Sequence, residues 1–274
     1  MTTHRVNYDS LYALIAAAES ETAQSHYRSS RTNSGTFAGC DTFADAATLA
    51  RKGWSVGRDE SERIGETVRA RVTDALPPAN VCYHDVSGAS VDIGEFLAGV
   101  PECMIDFRAD EVRAPVVTIL INGTVAANIS TDRIVKRGIA ITALVESLAI
   151  LQRSAVIFSE VTVTSGKDSV SILTNLKGAS DALDIDAVMF GIAHPAMLRR
   201  LYFGAYENTA PAAMQERIGY GYGRPATLTR TAEVGATVVI DPIASSGEVN
   251  AMENDPAQWV IDTLRKIGAL SNDD

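Results

Sequence analysis

The chain has 274 residues, 46% hydrophobic and 21% charged. That is the composition of a folded protein with one large domain, or a core with a smaller unit attached. Acidic residues outnumber basic ones by 34 to 24, for a formal net charge of −10, which works against non-specific binding to nucleic acid or anionic membranes. No run of about 18 apolar residues marks a membrane span, and the N-terminal MTTHRVNYDS lacks the apolar core of a signal peptide. Cys40, Cys82 and Cys103 are three, widely spaced and without a Cys-x-x-Cys pair, so they read as reduced thiols of a cytosolic compartment and not as a disulfide framework or a zinc site.

Residues 1–100 read as a mainly helical region packed on an α/β core domain over 101–274. Leu11, Leu14, Ile15 and Ala18 give helical character to Asp9–Glu21, and the polar stretch Ser25–Thr36 follows as a loop or arm. Asp41-Thr42 opens a helix through Phe43, Ala46, Ala47 and Leu49 to Ala50, with Gly53 placed to end it. Ile64, Val68 and Val72 recur at i, i+4 and i+8, predicting a helix over Ser61–Ala75 that Pro77-Pro78 stops. Val81–Val100 is punctuated by glycine, with a short apolar helix at Ile93–Leu97, and Met104–Phe107 reads as a strand leading toward the central unit.

The centre is Pro115–Val163. Val116, Val117, Ile119, Leu120 and Ile121 make a run short and β-branched enough for a buried strand, closed by Asn122-Gly123. Ser130 or Thr131 caps a long helix, Asp132 suits its dipole, and Ile134, Ile141, Leu144, Val145, Leu148 and Leu151 form its apolar face. Ala155–Phe158 is a second strand, completing a βαβ unit that seeds a parallel sheet.

Ser165-Gly166-Lys167-Asp168 then reads as a turn. Val170, Ile172, Thr174 and Leu176 alternate with polar residues, predicting a half-exposed strand antiparallel to its predecessor. Helices are expected over Asp184–Ala193 and Ala196–Tyr206, broken at His194-Pro195. Ala236–Ile240 is a buried strand ending in Asp241-Pro242. Asp255-Pro256 starts the last helix, with Trp259, Val260, Leu264 and Ile267 on its apolar side and Gly268 at its end. The expected fold is three-layer α/β: a mostly parallel sheet with flanking helices, preceded by the mainly helical N-terminal region.

Ligands of open parallel sheets sit beyond the carboxyl ends of the strands. Asn122 and Thr124 after the first core strand and Asp241 after the late one are therefore candidate binding residues, with oxygen atoms suited to magnesium. The plain reading, a turn and a loop cap, outweighs that metal site. Gly219-Tyr220-Gly221-Tyr222-Gly223-Arg224-Pro225 follows a helix-like segment, so it does not fit a dinucleotide fingerprint. A mobile surface loop is expected instead; the plain loop outweighs a partner-contacting one, in which Tyr220 and Tyr222 are the candidate contacts. His84-Asp85 resembles the metal dyad of a phosphohydrolase in one dipeptide only, His194 marks a helix break, and no Gly-x-Ser-x-Gly elbow occurs, so no catalytic residue is assigned.

Several stretches together resemble an uncharacterised family of tailed-bacteriophage proteins. They are Phe37-Ala38-Gly39-Cys40-Asp41-Thr42-Phe43 with Ala46–Trp54, Gly94-Glu95-Phe96-Leu97-Ala98-Gly99-Val100-Pro101-Glu102-Cys103-Met104, Arg137-Gly138-Ile139-Ala140 through Leu144–Leu148, and His194-Pro195-Ala196-Met197-Leu198-Arg199-Arg200. The resemblance implies a phage-encoded protein of the host cytoplasm without an assigned activity. The βαβ unit and the strand after it also resemble the von Willebrand A-type fold. That fold's Asp-x-Ser-x-Ser magnesium motif would fall here on Asn122, Thr124 and Ala126, which implies a metal-free interaction module. The expected function is therefore a non-enzymatic module that binds a phage or host protein without a cofactor. The alternatives are a magnesium-dependent enzyme acting on a phosphorylated substrate at the sheet's carboxyl edge, and a virion or assembly component.

Overall fold

The strands are β1 (Thr2–Tyr8), β2 (Val81–Asp85), β3 (Ser90–Val91), β4 (Met104–Arg108), β5 (Val117–Asn122), β6 (Ala155–Ser165), β7 (Asp168–Lys177) and β8 (Val238–Ile240). This is a computed structural model, and it describes residues 2–20, 28–72, 81–108, 115–215, 222–244 and 250–270. The main sheet runs in the order β1-β7-β6-β5-β8. β5 pairs parallel with both β6 and β8, β1 pairs parallel with β7, and only β6 and β7 are antiparallel, so the sheet is mostly parallel, as expected.

The helix Thr131–Ile150 crosses from β5 to β6 and organises the core. Ser130 is its N-cap, accepting from the Arg133 amide, and Asp132 in the first turn pairs with Lys136 at 2.9 Å. Leu144 and Leu148 are 0% exposed and share one apolar cluster with Ile119, Ile121, Ile157, Val238 and Ile240. Against this helix lie Arg58–Arg71, Ile185–Ala193 and the C-terminal Pro256–Lys266, whose N-cap is Asp255. Gly138 permits the crossing with Ile185–Ala193, since a Cβ there would come within 2.2 Å of the Ala193 Cβ. A second cluster on the same sheet face joins Val161, Val163, Val170 and Ile172 to the helices Leu11–Glu19, Phe43–Lys52 and Phe203–Thr209. The opposite face is covered near its middle by residues 226–234, including the short helix Thr231–Val234, so helical cover is unequal on the two faces.

Several expectations change in detail. β7 is almost wholly buried, not half-exposed, because both of its faces are covered. Val170 and Ile172 enter the core, while Ser171 on the other face donates to the buried Glu160 carboxylate at 2.9 Å. Thr2–Tyr8 forms an edge strand with little periodicity to announce it, and an edge strand tolerates polar residues because one side meets water. β4 does not lead into the central sheet; it pairs antiparallel with β2 and β3 in a separate three-stranded sheet. Arg58–Arg71 begins ahead of the predicted Ser61, with Gly57 at its N-cap position and Asp59 and Glu60 in its first turn. After the predicted break at His194-Pro195, Met197–Tyr202 is a π-helical turn, which directs both Arg199 and Arg200 inward. Among the described residues, no helix is long and apolar enough to cross a membrane.

Candidate functional site

Because β5 and β8 are parallel neighbours, their carboxyl ends lie on one edge, and the structure brings Asn122 and Asp241 together there through Arg137. The buried Arg137 guanidinium donates to the backbone carbonyls of Asn122 at 3.1 Å and Asp241 at 2.6 Å. The Asn122 and Thr124 side chains are buried and engaged with the chain itself. Asn122 Oδ1 accepts from the Thr124 amide at 3.0 Å and hydroxyl at 2.6 Å, and its amide nitrogen donates to the Ala226 carbonyl at 2.7 Å. The Thr124 hydroxyl in turn accepts from the Ala226 amide at 3.3 Å. A magnesium ion at this edge would have to displace these bonds, and Asp241, which is exposed, is the only carboxylate among the three candidates.

A buried anchor of the same cover escaped sequence reasoning. Glu160 is buried and accepts from the hydroxyls of Thr162, Ser171 and Thr229 and from the amides of Thr229 and Arg230. The available signal was a lone acid inside an apolar strand, Phe158-Ser159-Glu160-Val161, a pattern that demands partners. Tyr222 is not an exposed contact residue. Its ring stacks on Phe203 with centroids 3.7 Å apart, and its hydroxyl donates to the Phe203 carbonyl at 3.3 Å. Gly223 follows at φ +71°, where a Cβ would meet the Ala127 Cβ at 2.6 Å. Gly219, Tyr220 and Gly221 lie outside the described residues.

Beside β8, a cavity of about 350 Å³ lies between that strand and the Pro256–Lys266 helix, with Arg137, Asp241, Trp259 and Lys266 in its wall. It is large enough for a small ligand.

His194 is structural. Phe190 stacks on its ring, Trp54 meets it edge-on, and its Nδ1 accepts from the Ala196 amide at 3.1 Å. Burial pushes its pKa down from 6.5 to about 4. The neutral ring is thus favoured in the folded state, and the stability this confers is present above pH 6.5 and lost as pH falls toward 4. We expect wild-type stability to fall over that window by about 3 kcal/mol more than that of His194→Asn, whose side-chain oxygen keeps the acceptor without the titration. Denaturant melts at pH 7 and pH 4 check this, and parallel losses in the two proteins would count against it.

A different surface stands out in the lobe built from β2, β3, the short helix Ile93–Leu97 and β4, which packs mainly on itself. Asp92 caps that helix, accepting from the Gly94 and Glu95 amides, and its own amide is tied to the Cys103 carbonyl at 2.8 Å. The helix forms as its sequence suggests but faces water: Ile93 is 71%, Phe96 62% and Leu97 78% exposed, with Val86, Val91 and Val100 exposed nearby. Scattered exposed hydrophobics are ordinary, whereas this lobe places six within 15 consecutive residues. The lobe is also acidic, with Asp85, Asp92, Glu95, Glu102 and Asp106 against Arg108 alone. His84 turns away from its sequence neighbour Asp85; its Nε2 lies 3.3 Å from Asp92 Oδ2 and 3.7 Å from Glu95 Oε2. Periodicity located the apolar helix but could not show that its apolar side chains stay exposed.

No curated protein and no solved structure matches this chain. A family model described as a domain of unknown function (DUF7192) matches residues 2–271, nearly the whole chain, in line with the expectation of an uncharacterised family. The chain therefore belongs to the DUF7192 family.

Proposed function

We propose that this protein is a non-enzymatic interaction module and that the 81–108 lobe is its docking surface. The observation that carries this reading is the exposed apolar face of Ile93, Phe96 and Leu97 on an acidic lobe outside the main core. Its charge selects the occupant: a protein segment with apolar side chains flanked by lysine or arginine. A second copy of the same acidic lobe would be repelled, as would an anionic membrane.

The proposal extends to provenance and place. Resemblance to tailed-phage proteins supports a phage-encoded partner of a phage or host protein in the host cytoplasm. The parallel β5–helix–β6 unit followed by antiparallel β7 supports a von Willebrand A-like scaffold that needs no metal at Asn122, Thr124 and Ala126.

An amphipathic peptide of leucine and lysine, titrated onto the full chain and followed by fluorescence anisotropy, tests the docking surface. The Phe96→Ser/Leu97→Ser double variant should weaken binding at least tenfold while leaving the fold intact, because both side chains are exposed. A leucine–glutamate counterpart should bind the wild type more weakly. Equal binding of the first peptide to wild type and double variant would defeat the proposal.

One observation favours the rival reading, a magnesium-dependent enzyme: the cavity beside β8, with Asp241 and Lys266 in its wall. A rise in melting temperature with magnesium and a phosphorylated ligand, abolished in Asp241→Asn, would put that reading first.

A further inference from the structure

We propose that His84, Asp92 and Glu95 bind one divalent first-row transition ion, of the manganese, cobalt or zinc type, with the remaining coordination positions left to water. The three donors come from two elements, β2 and the capped start of the Ile93–Leu97 helix, and their ligand atoms all lie within 4.8 Å of one another. Metal–donor bonds of about 2.0–2.2 Å would hold neighbouring donors roughly 3–3.5 Å apart. The His84–Asp92 separation of 3.3 Å already falls in that range, and the His84–Glu95 separation of 3.7 Å needs only a small side-chain adjustment.

The chemistry of the set narrows the ion. One imidazole nitrogen with two carboxylate oxygens suits borderline divalent metals, whereas calcium takes six to eight oxygens. Asp92 divides its oxygens: Oδ1 accepts from the Gly94 and Glu95 amides, which fixes the carboxylate, while Oδ2 faces His84. That arrangement orients a ligating carboxylate through bonds from behind.

Charge supplies a separate argument. Two carboxylates stand together on a lobe of net negative charge, and among the described residues no lysine or arginine pairs with either. A dication would relieve that repulsion and tie β2 to the helix carrying Phe96 and Leu97. The site does not rest on the docking reading, because its test contains no partner and uses variants that leave the apolar face unchanged.

The full chain, stripped with chelator, is titrated with Co²⁺ and followed by calorimetry and visible absorption. We expect one equivalent to bind in the micromolar range, with a ligand-field band and no thiolate charge-transfer band. His84→Ala and Glu95→Gln should each weaken binding about tenfold or more, since even outer-shell partners are worth 10–100-fold, with unchanged circular dichroism. His4→Ala, which removes an exposed imidazole elsewhere, should leave it unaltered. Affinity no tighter than millimolar, binding indifferent to His84→Ala, or a charge-transfer band pointing to Cys40, Cys82 or Cys103 would overturn the assignment and leave the trio as an ion pair only.

Discussion

Replacing Leu148 with alanine is expected to destabilise the protein by about 2–5 kcal/mol, the span seen for buried leucines. Leu148 is 0% exposed and sits in the cluster that joins the Thr131–Ile150 helix to β5, β6 and β8. The truncation removes the transfer energy of the lost carbons and leaves a cavity, and the surroundings are poorly placed to collapse into it. Leu144, also fully buried, holds the same helix, while β5 and β6 are fixed by pairing from Val117↔Ala155 to Asn122↔Glu160. Ile150→Ala is the control, because Ile150 is exposed two positions further along the same helix. Urea melts should show Leu148→Ala with a lower midpoint and an unchanged slope, beside a near-wild-type Ile150→Ala. Two nearly equal losses would mean that the helix does not carry the core.

Arg200→Ala is expected to cost about 3 kcal/mol or more, from lost charge-assisted hydrogen bonds and carbonyls left unpaired. Arg200 is fully buried and donates to four backbone carbonyls: Ser30 at 2.8 Å, Asn33 at 2.9 Å, Cys40 at 3.2 Å and Asp41 at 2.9 Å. These tie residues 30–41 to the π-helical turn Met197–Tyr202. Glu207 adds to the same junction by accepting from the Ser30 amide at 2.9 Å and from its hydroxyl. Burial raises the Glu207 pKa, and its hydrogen bonds to Ser30 oppose that rise. Arg200→Lys should recover little, because one ammonium cannot span four acceptors that a planar fork reaches. Hydrogen exchange should quicken first across 30–41, ahead of global unfolding. A lysine variant as stable as wild type would show that charge alone, not the fork, holds the segment.

The amino-acid sequence by itself determined the scaffold of this protein. The β-branched run of β5, the i, i+3, i+4 pattern over Ile141, Leu144, Val145 and Leu148, and the turn at Gly166-Lys167 are local signals, and each formed the element it predicted. Caps are local too: Ser130, Asp184 and Asp255 each accept a bond from an amide within the next few residues. Tertiary structure decided everything that depends on what covers a residue. Alternation in β7 promised a solvent face, yet Glu160, Thr229 and Arg230 close over Ser171 from positions 11 to 59 residues away. Asn122 and Thr124 carried the oxygens of a ligand site, but their partner proved to be Ala226, about 100 residues on. In the lobe the outcome is reversed: Ile93, Phe96 and Leu97 have the composition of a core helix and are exposed. The local pattern fixes which side of an element is apolar. Long-range packing alone settles whether that side meets protein, a loop or water.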